Sequence, residues 1–200
     1  MKLYYSLLLL VFSAISISCS SGRSIPEAQK DNGSEGKPKY SYLALGDSYT
    51  IGESVKESER WPVQLTKGLR ERGYAMAAPK IIARTGWTTA DLIAGINSEL
   101  DVQRDFDLVS ILIGVNNQYQ NKSITEYEEE LREIFRKAIN HSKKMEAGVF
   151  AVSIPDYGVT PFGAAKKDEI GRDIDAFNEV FKRVAQDFNV DFYNISPISR

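Results

Sequence analysis

The sequence has 200 residues, of which 42% are hydrophobic and 26% are charged, and its formal net charge is −2. This composition is that of an ordinary globular protein and excludes a wholly disordered chain, while the length suits one domain with a substantial core rather than two. Lysine and arginine are scattered among the acidic residues and form no basic stripe, so we expect no nucleic-acid partner.

The N-terminus has the pattern of a secretory signal peptide. Lys2 supplies a positive charge, and residues 3–17 form an apolar run rich in Leu, Val and Ile. The run is shorter than the roughly 20 residues that a helix needs to cross a bilayer. It therefore predicts a signal peptide over residues 1–18. A buried N-terminal core helix is the alternative, but the run shows no amphipathic period.

Cys19 is the only cysteine of the sequence, which excludes an intramolecular disulfide. It follows small residues of the kind that a signal peptidase reads. The stretch 16–19 resembles a bacterial lipobox, whose cysteine is lipidated on its sulfur and becomes the new N-terminus, although Ser16 stands where that motif usually has Leu. We therefore expect a protein of the bacterial cell envelope, exported and lipid-anchored to a membrane through Cys19, on the periplasmic or outer face. Ordinary secretion after cleavage behind Ser18 is the alternative.

The segment after the cysteine is polar and holds almost nothing that a core can bury. Such a segment cannot offset the entropy of ordering, so residues 19–39 are predicted to be the lipidated cysteine and a flexible tether. The folded domain is predicted over residues 40–200.

Within that domain, short apolar runs alternate with helical patterns. The predicted strands are residues 42–45, 80–83, 108–113, 149–154 and 191–195. Four helices are predicted. The first begins near Trp61 and closes at Gly73, and the second spans residues 88–100 behind a Thr88–Asp91 capping box. The third follows a Ser123–Glu126 cap, and the fourth carries an apolar stripe from Ile170 to Phe188. The continuous apolar run 108–113 is typical of a strand that is buried on both faces. Strands separated by such helices predict parallel pairing and a three-layer α/β/α sandwich with a five-stranded sheet.

In an open parallel sheet, ligands bind outside the carboxyl ends of the strands. Ser48 follows the first strand in Gly46-Asp47-Ser48, Gly86 follows the second, and Asn116 follows the third in Gly114-Val115-Asn116. A hydroxyl, an amide and glycine N–H groups are what acyl transfer requires, namely a nucleophile and donors for a tetrahedral oxyanion. These residues predict a catalytic site at the edge of the sheet where the strands have their carboxyl ends.

The three segments resemble, in order, the first three sequence blocks of the SGNH (GDSL-type) hydrolases, which have a flavodoxin-like fold. The resemblance runs from about residue 40 to the C-terminus. It implies a serine ester hydrolase that needs no cofactor and works through an acyl-enzyme on Ser48, with an oxyanion hole formed by the N–H groups of Ser48 and Gly86 and the side chain of Asn116. The implied substrates are small-molecule, lipid or glycan esters, either acyl esters of lipids or acetyl groups on carbohydrate.

Each of these residues also has a structural alternative. Ser48 could only cap the segment that follows it, and Gly86 could be a turn residue before the Thr88 cap. Asn116 and Asn117 could be turn formers. Asn117 stands where the family usually has Asp, and Tyr49 stands where it usually has Leu after the nucleophile, a change that we expect to be tolerated.

A larger departure concerns the catalytic base. The family's fifth block is an Asp-x-x-His motif after the fifth strand, and this sequence ends at Arg200, where that loop is expected. The single histidine, His141, is predicted near the end of the helix that follows strand three, at the opposite edge of the sheet from Ser48. We therefore expect His141 to be a helix C-terminal cation and the chain to be a truncated, weakly active form of a longer hydrolase.

A non-catalytic binding module on the same scaffold is the alternative function. One histidine and one cysteine cannot form a nitrogen–sulfur metal site, so a metal enzyme is disfavoured.

Overall fold

The computed structural model describes residues 38–101 and 105–200. The predicted signal peptide, Cys19 and nearly all of the predicted tether lie outside this range. No helix in the described ranges combines the length and apolarity that a membrane span requires.

The described residues form a five-stranded, fully parallel sheet with the strand order β2-β1-β3-β4-β5. The strands are β1 (Tyr42–Gly46), β2 (Lys80–Ala83), β3 (Leu108–Leu112), β4 (Val149–Val152) and β5 (Asp191–Tyr193). The α-helices of these residues are α1 (Ser48–Ile51), α2 (Trp61–Glu71), α3 (Thr89–Glu99), α4 (Val115–Tyr119), α5 (Ile124–His141), α6 (Lys167–Asp187) and α7 (Ser196–Ser199). The predicted parallel α/β architecture is confirmed.

The alternation of side chains along the strands produces the layers. On β1, Leu43 and Leu45 face a large core cluster that α3, α5 and α6 cover, whereas Tyr42 and Ala44 face a smaller cluster beneath α2. Both clusters are buried, and the helices lie on both faces of the sheet.

The predicted helix caps form as the sequence patterns indicate. The Thr88 hydroxyl and the Asp91 carboxylate make a reciprocal capping box at the start of α3. The Ser123 hydroxyl accepts a hydrogen bond from the backbone N–H of Glu126 at the start of α5.

Strands β4 and β5 end two residues earlier than the sequence predicts, because side chains accept the hydrogen bonds of the backbone N–H groups that follow them. The N–H of Ile154 donates to the Asn178 side chain at 2.8 Å, and the N–H of Ile195 donates to the Ser153 hydroxyl at 2.8 Å. These bonds satisfy the two backbone N–H groups without further strand pairing.

The strand register brings the carboxyl ends of three strands level. Gly46, the last residue of β1, pairs with Ala83 of β2 and with Leu112 of β3. The residues that follow these three positions therefore emerge side by side at one edge of the sheet.

Candidate active site

A cavity of about 340 Å³ opens at this edge of the sheet. It is lined by Ser48, Tyr49, Val115, Asn116, Tyr119, Tyr157 and Phe162. Residues from α1, from α4 and from the loop behind β4 thus meet in one space, as expected where parallel strands end.

Ser48 is the first residue of α1, and its side chain lines the cavity. The N-cap of this short helix is Asp47, whose Oδ1 accepts a hydrogen bond from the backbone N–H of Tyr49 at 3.0 Å. The capping role that was the structural alternative for Ser48 is therefore filled by its neighbour. Ser48 remains half-buried, with its side chain on the cavity.

Asp47 is completely buried behind the serine. Burial raises the pKa of its carboxyl from 3.8 to about 7, although hydrogen bonds from the backbone N–H groups of Tyr49 and Gly114 act in the opposite direction. Its second oxygen, Oδ2, has no hydrogen-bond partner among the described residues. The residue directly before Ser48 is thus a buried carboxyl group that holds its proton more tightly than an exposed aspartate does.

Asn116 lies in the first turn of α4, which begins where Gly114 adopts a φ of +128°. A backbone in that conformation favours glycine, and a side chain there would also collide with Tyr127. The Asn116 amide nitrogen donates one hydrogen bond to the carbonyl oxygen of Trp87 at 2.8 Å. Because an amide nitrogen carries two hydrogens, the second can donate to a group in the cavity.

Gly86 lies directly before Trp87 in the loop behind β2, with a φ of +83°. The residue is exposed, and nothing lies within 4 Å of the position that a side chain would take. The structure brings Ser48 and Asn116 together in the lining of the cavity, and Gly86 is not among the lining residues.

Asn117 joins the loop behind β2 to the loop behind β3. Its side-chain oxygen accepts from the backbone N–H of Thr89 at 3.0 Å, and its nitrogen donates to the Thr89 hydroxyl at 2.6 Å. The Thr89 hydroxyl in turn bonds the Glu130 carboxylate of α5. Asn117 and Thr89 are fully buried. Because the side chains of Asn116 and Asn117 both bond the segment behind β2, neither asparagine is a simple turn former.

Three aromatic residues, which we call the aromatic wall, form one side of the cavity: Tyr119, Tyr157 and Phe162. Each ring contacts the other two, with centroid separations of 6.1 to 6.3 Å. Neither Tyr119 nor Phe162 is predicted from the sequence. The sequence feature that could indicate them is the occurrence of aromatic residues in the polar segments that follow β3 and β4.

His141 ends α5 at the far side of the molecule from this cavity. Its carbonyl oxygen accepts from the N–H of Phe106, and the next residue, Ser142, forms a parallel bridge with Phe106 just before β3 begins. The histidine therefore lies at the amino edge of the sheet, as the direction of the helix predicts.

Comparison with known proteins gives one family and a consistent fold. The model of the GDSL-like lipase/acylhydrolase family matches residues 44–200. A comparison of the sequence with curated proteins gives no match.

Among solved structures, TesA is similar with a TM-score of 0.60 and 23% identity, covering 76% of this chain and 76% of that chain. AlinE4, an SGNH-hydrolase family esterase, is similar with a TM-score of 0.63 and 21% identity over 83% of this chain and 82% of its own. A lipolytic protein of the G-D-S-L family from Veillonella parvula DSM 2008 has a TM-score of 0.63 and 15% identity, with 78% of each chain covered. At these identities the likeness shows a shared fold.

Proposed function

The chain belongs to the GDSL-like lipase/acylhydrolase family and is an ester hydrolase, and we propose that it works through an acyl-enzyme formed on Ser48. The observation that supports this mechanism is the meeting of Ser48 and Asn116 in one cavity at the carboxyl edge of the sheet. One residue supplies a hydroxyl nucleophile, and the other supplies an uncharged N–H donor.

In the proposed reaction, Ser48 Oγ attacks the carbonyl carbon of the ester, and the carbonyl oxygen becomes an oxyanion. The free hydrogen of the Asn116 amide donates to that oxyanion, while the bond to the Trp87 carbonyl holds the amide in orientation. The N–H groups of Ser48 and Gly86 are the further donors that the family resemblance implies. The hydroxyl proton passes through a base to the departing alcohol, and water then releases the acid from Ser48.

The test compares Ser48→Ala with wild type on p-nitrophenyl butyrate. We expect the variant to lose turnover. A fluorophosphonate ester should add its mass to the wild-type protein and leave the mass of the variant unchanged. Ser58→Ala is the matched control, because Ser58 is an exposed serine away from the cavity. Turnover that persists in Ser48→Ala would exclude Ser48 as the nucleophile.

We further propose that the protein is exported and lipid-anchored through Cys19, as the lipobox-like stretch 16–19 suggests. Cys19→Ala should move the protein from the membrane fraction to the soluble fraction, and it should abolish incorporation of radiolabelled fatty acid. Ser20→Ala should change neither. An unaltered membrane fraction in Cys19→Ala would contradict the anchor.

A binding module is the second candidate, and the observation in its favour is the position of His141 at the edge away from Ser48. The same assay separates the two functions. A module without catalysis would bind esters without any turnover that depends on Ser48.

A further inference from the structure

Glu130 is a half-buried residue of α5 whose carboxylate bonds a buried group at the start of α3. It accepts the hydroxyl hydrogen of Thr89, which is completely buried. Other acidic side chains of α5 pair with cations, since Glu128 bonds two arginines and Glu133 bonds Lys137. Among the described residues, Glu130 forms no such ion pair. Its carboxylate is used on the Thr89 hydroxyl instead.

The direction of each hydrogen bond around Thr89 follows from the hydrogens that are present. The backbone N–H of Thr89 can only donate, so the side-chain oxygen of Asn117 must face it. The side-chain nitrogen of Asn117 then faces the Thr89 hydroxyl at 2.6 Å and donates to it. The hydroxyl has a single hydrogen, which is left for Glu130. An acceptor at Glu130 therefore requires a donor at Asn117.

This requirement gives a physical reason for the amide at Asn117, where the family usually has aspartate. An aspartate could still accept from the Thr89 N–H, but its second oxygen would face the hydroxyl that Glu130 already bonds. Two acceptors would then compete for one hydrogen, and two carboxylates would flank one hydroxyl group. Asn117 and Glu130 are thus a complementary pair with Thr89 between them.

Asn117 transmits this constraint to the candidate oxyanion donor. Asn116 precedes it in α4 and donates to the Trp87 carbonyl at 2.8 Å, and Trp87 lies two residues before Thr89. A displacement of Thr89 therefore displaces both segments that hold the Asn116 amide. A group that stabilises a transition state has to lie within about 0.5 Å of its productive position, so a small displacement is enough to weaken it.

Other contacts keep the loop behind β2 in place when this network is altered. The Trp87 indole lies against Gly95 of α3, where the ring leaves no room for a side chain. The Thr88–Asp91 capping box fixes the first turn of the same helix. Variants of Glu130 should therefore fold, and they should change the orientation of the donor rather than the path of the chain.

We propose that Glu130 is a positioning residue of the oxyanion hole, which acts through Thr89 and Asn117 on the orientation of the Asn116 amide. The inference rests on the proposed function, since it takes Asn116 as an oxyanion donor. Glu130 is not among the residues that line the cavity around Ser48. Its effect should therefore appear in kcat rather than in KM.

The first test measures kcat and KM for p-nitrophenyl butyrate. Glu130→Ala should lower kcat about tenfold with little change in KM, because the Thr89 hydroxyl loses its acceptor and the donor shifts. Glu130→Gln should keep the wild-type kcat, since its amide oxygen can accept the same hydrogen. Glu129→Ala is the matched control at an exposed acidic residue of the same helix, and it should change neither constant. If Glu130→Gln loses as much kcat as Glu130→Ala, the bond to Thr89 does not position the donor.

The second test reverses the direction of the hydrogen bonds. Asn117→Asp should lower kcat about tenfold, because two carboxylates then compete for the hydrogen of the Thr89 hydroxyl. Adding Glu130→Gln should restore most of the loss. The glutamine amide can turn and donate to the hydroxyl, whose hydrogen then goes to the aspartate. A double variant that is no more active than Asn117→Asp would contradict the complementary pair, as would an Asn117→Asp protein with wild-type kcat.

A third measurement needs no turnover and keeps this inference separate from the catalytic proposal. The side-chain amide of Asn116 gives a pair of proton–nitrogen signals in the NMR spectrum, which Asn116→Ala identifies by removing them. Glu130→Ala should shift this pair, whereas Glu130→Gln and Glu129→Ala should leave it in place. Shifted signals with an unchanged kcat would support the positioning role and contradict Asn116 as an oxyanion donor. Unshifted signals in Glu130→Ala would overturn the positioning role.

Discussion

The side-chain amide of Asn117 bonds both polar groups that Thr89 presents, accepting from its backbone N–H at 3.0 Å and donating to its hydroxyl at 2.6 Å. Thr89 lies two residues behind Trp87, and Asn117 directly follows Asn116, whose amide bonds the Trp87 carbonyl. Two consecutive asparagines thus tie the loop behind β2 to the start of α4. The pair holds together the segments that carry Gly86 and Asn116, two of the three proposed oxyanion donors.

Asn117→Ala should reduce the free energy of unfolding by about 1–3 kcal/mol, because it leaves the buried N–H of Thr89 without its partner. Urea unfolding at neutral pH measures this change. Asn140→Ala, at an exposed position of α5, is the control and should change the free energy of unfolding by less than about 0.5 kcal/mol. An Asn117 variant as stable as wild type would mean that the two bonds contribute nothing.

The long elements could be predicted from the sequence because their patterns depend on local periodicity. The stripe of α5 and the continuous apolar run of β3 need no knowledge of their neighbours. Helices α1 and α4 were not predicted, because segments of four and five residues are too short to show a period.

Only part of the candidate site could be predicted from the sequence, because some of its residues meet through contacts between segments that are distant in the chain. The order of the strands indicated that the segments with Ser48 and Asn116 would meet, since parallel strands end at a common edge. The aromatic wall depends on a contact between α4 and the turn behind β4, which no local pattern encodes. The role of Asn117 likewise depends on Thr89, a residue that is distant in the chain.

Asp47→Asn should stabilise the protein increasingly as the pH rises from 4 to 8. In the unfolded chain this carboxyl ionises near pH 3.8, whereas burial raises its pKa to about 7 in the folded protein. Between these values the folded state binds more protons, so ionisation of Asp47 lowers stability as the pH rises. Asparagine carries no charge and can still accept from the N–H of Tyr49 through its side-chain oxygen.

The difference in unfolding free energy between Asp47→Asn and wild type should therefore grow by roughly 4 kcal/mol across this range. Tyr49 and Tyr127 are titratable groups near this carboxyl. Burial chiefly, and the Asp47 charge in addition, raise the pKa of both, so they stay neutral throughout. Urea unfolding at several pH values measures the difference. A constant difference from pH 4 to pH 8 would contradict the raised pKa.

Asn116→Ala should lower kcat by the equivalent of about 2.7–4 kcal/mol, which is the typical effect of losing one oxyanion donor. KM should change little, because the donor acts mainly on the charge that develops in the transition state. Asn116→Asp is the matched variant, since it keeps the size of the side chain but has no N–H to donate. If the aspartate variant retains wild-type kcat, the amide is not an oxyanion donor.

Ser48 needs a base that removes its hydroxyl proton. A serine hydroxyl keeps its proton at neutral pH and is a weak nucleophile without an adjacent base. Within the described residues, the histidine lies at the amino edge of the sheet, and the cavity around Ser48 is lined by hydroxyl, amide and apolar groups. We therefore expect this chain to hydrolyse p-nitrophenyl esters slowly and His141→Ala to hydrolyse them at the same rate.

Added imidazole should enter the open cavity and act as the base. General-base catalysis contributes about 10²–10⁴-fold in enzymes, so a soluble base with no fixed orientation should recover about tenfold. Imidazole also cleaves p-nitrophenyl esters by itself, and the Ser48→Ala protein measured at each concentration supplies that background. A rise above this background that saturates with imidazole, and that is equal in wild type and in His141→Ala, is the expected result. Fast hydrolysis without imidazole that disappears in His141→Ala would instead identify His141 as the base, against its position in the fold.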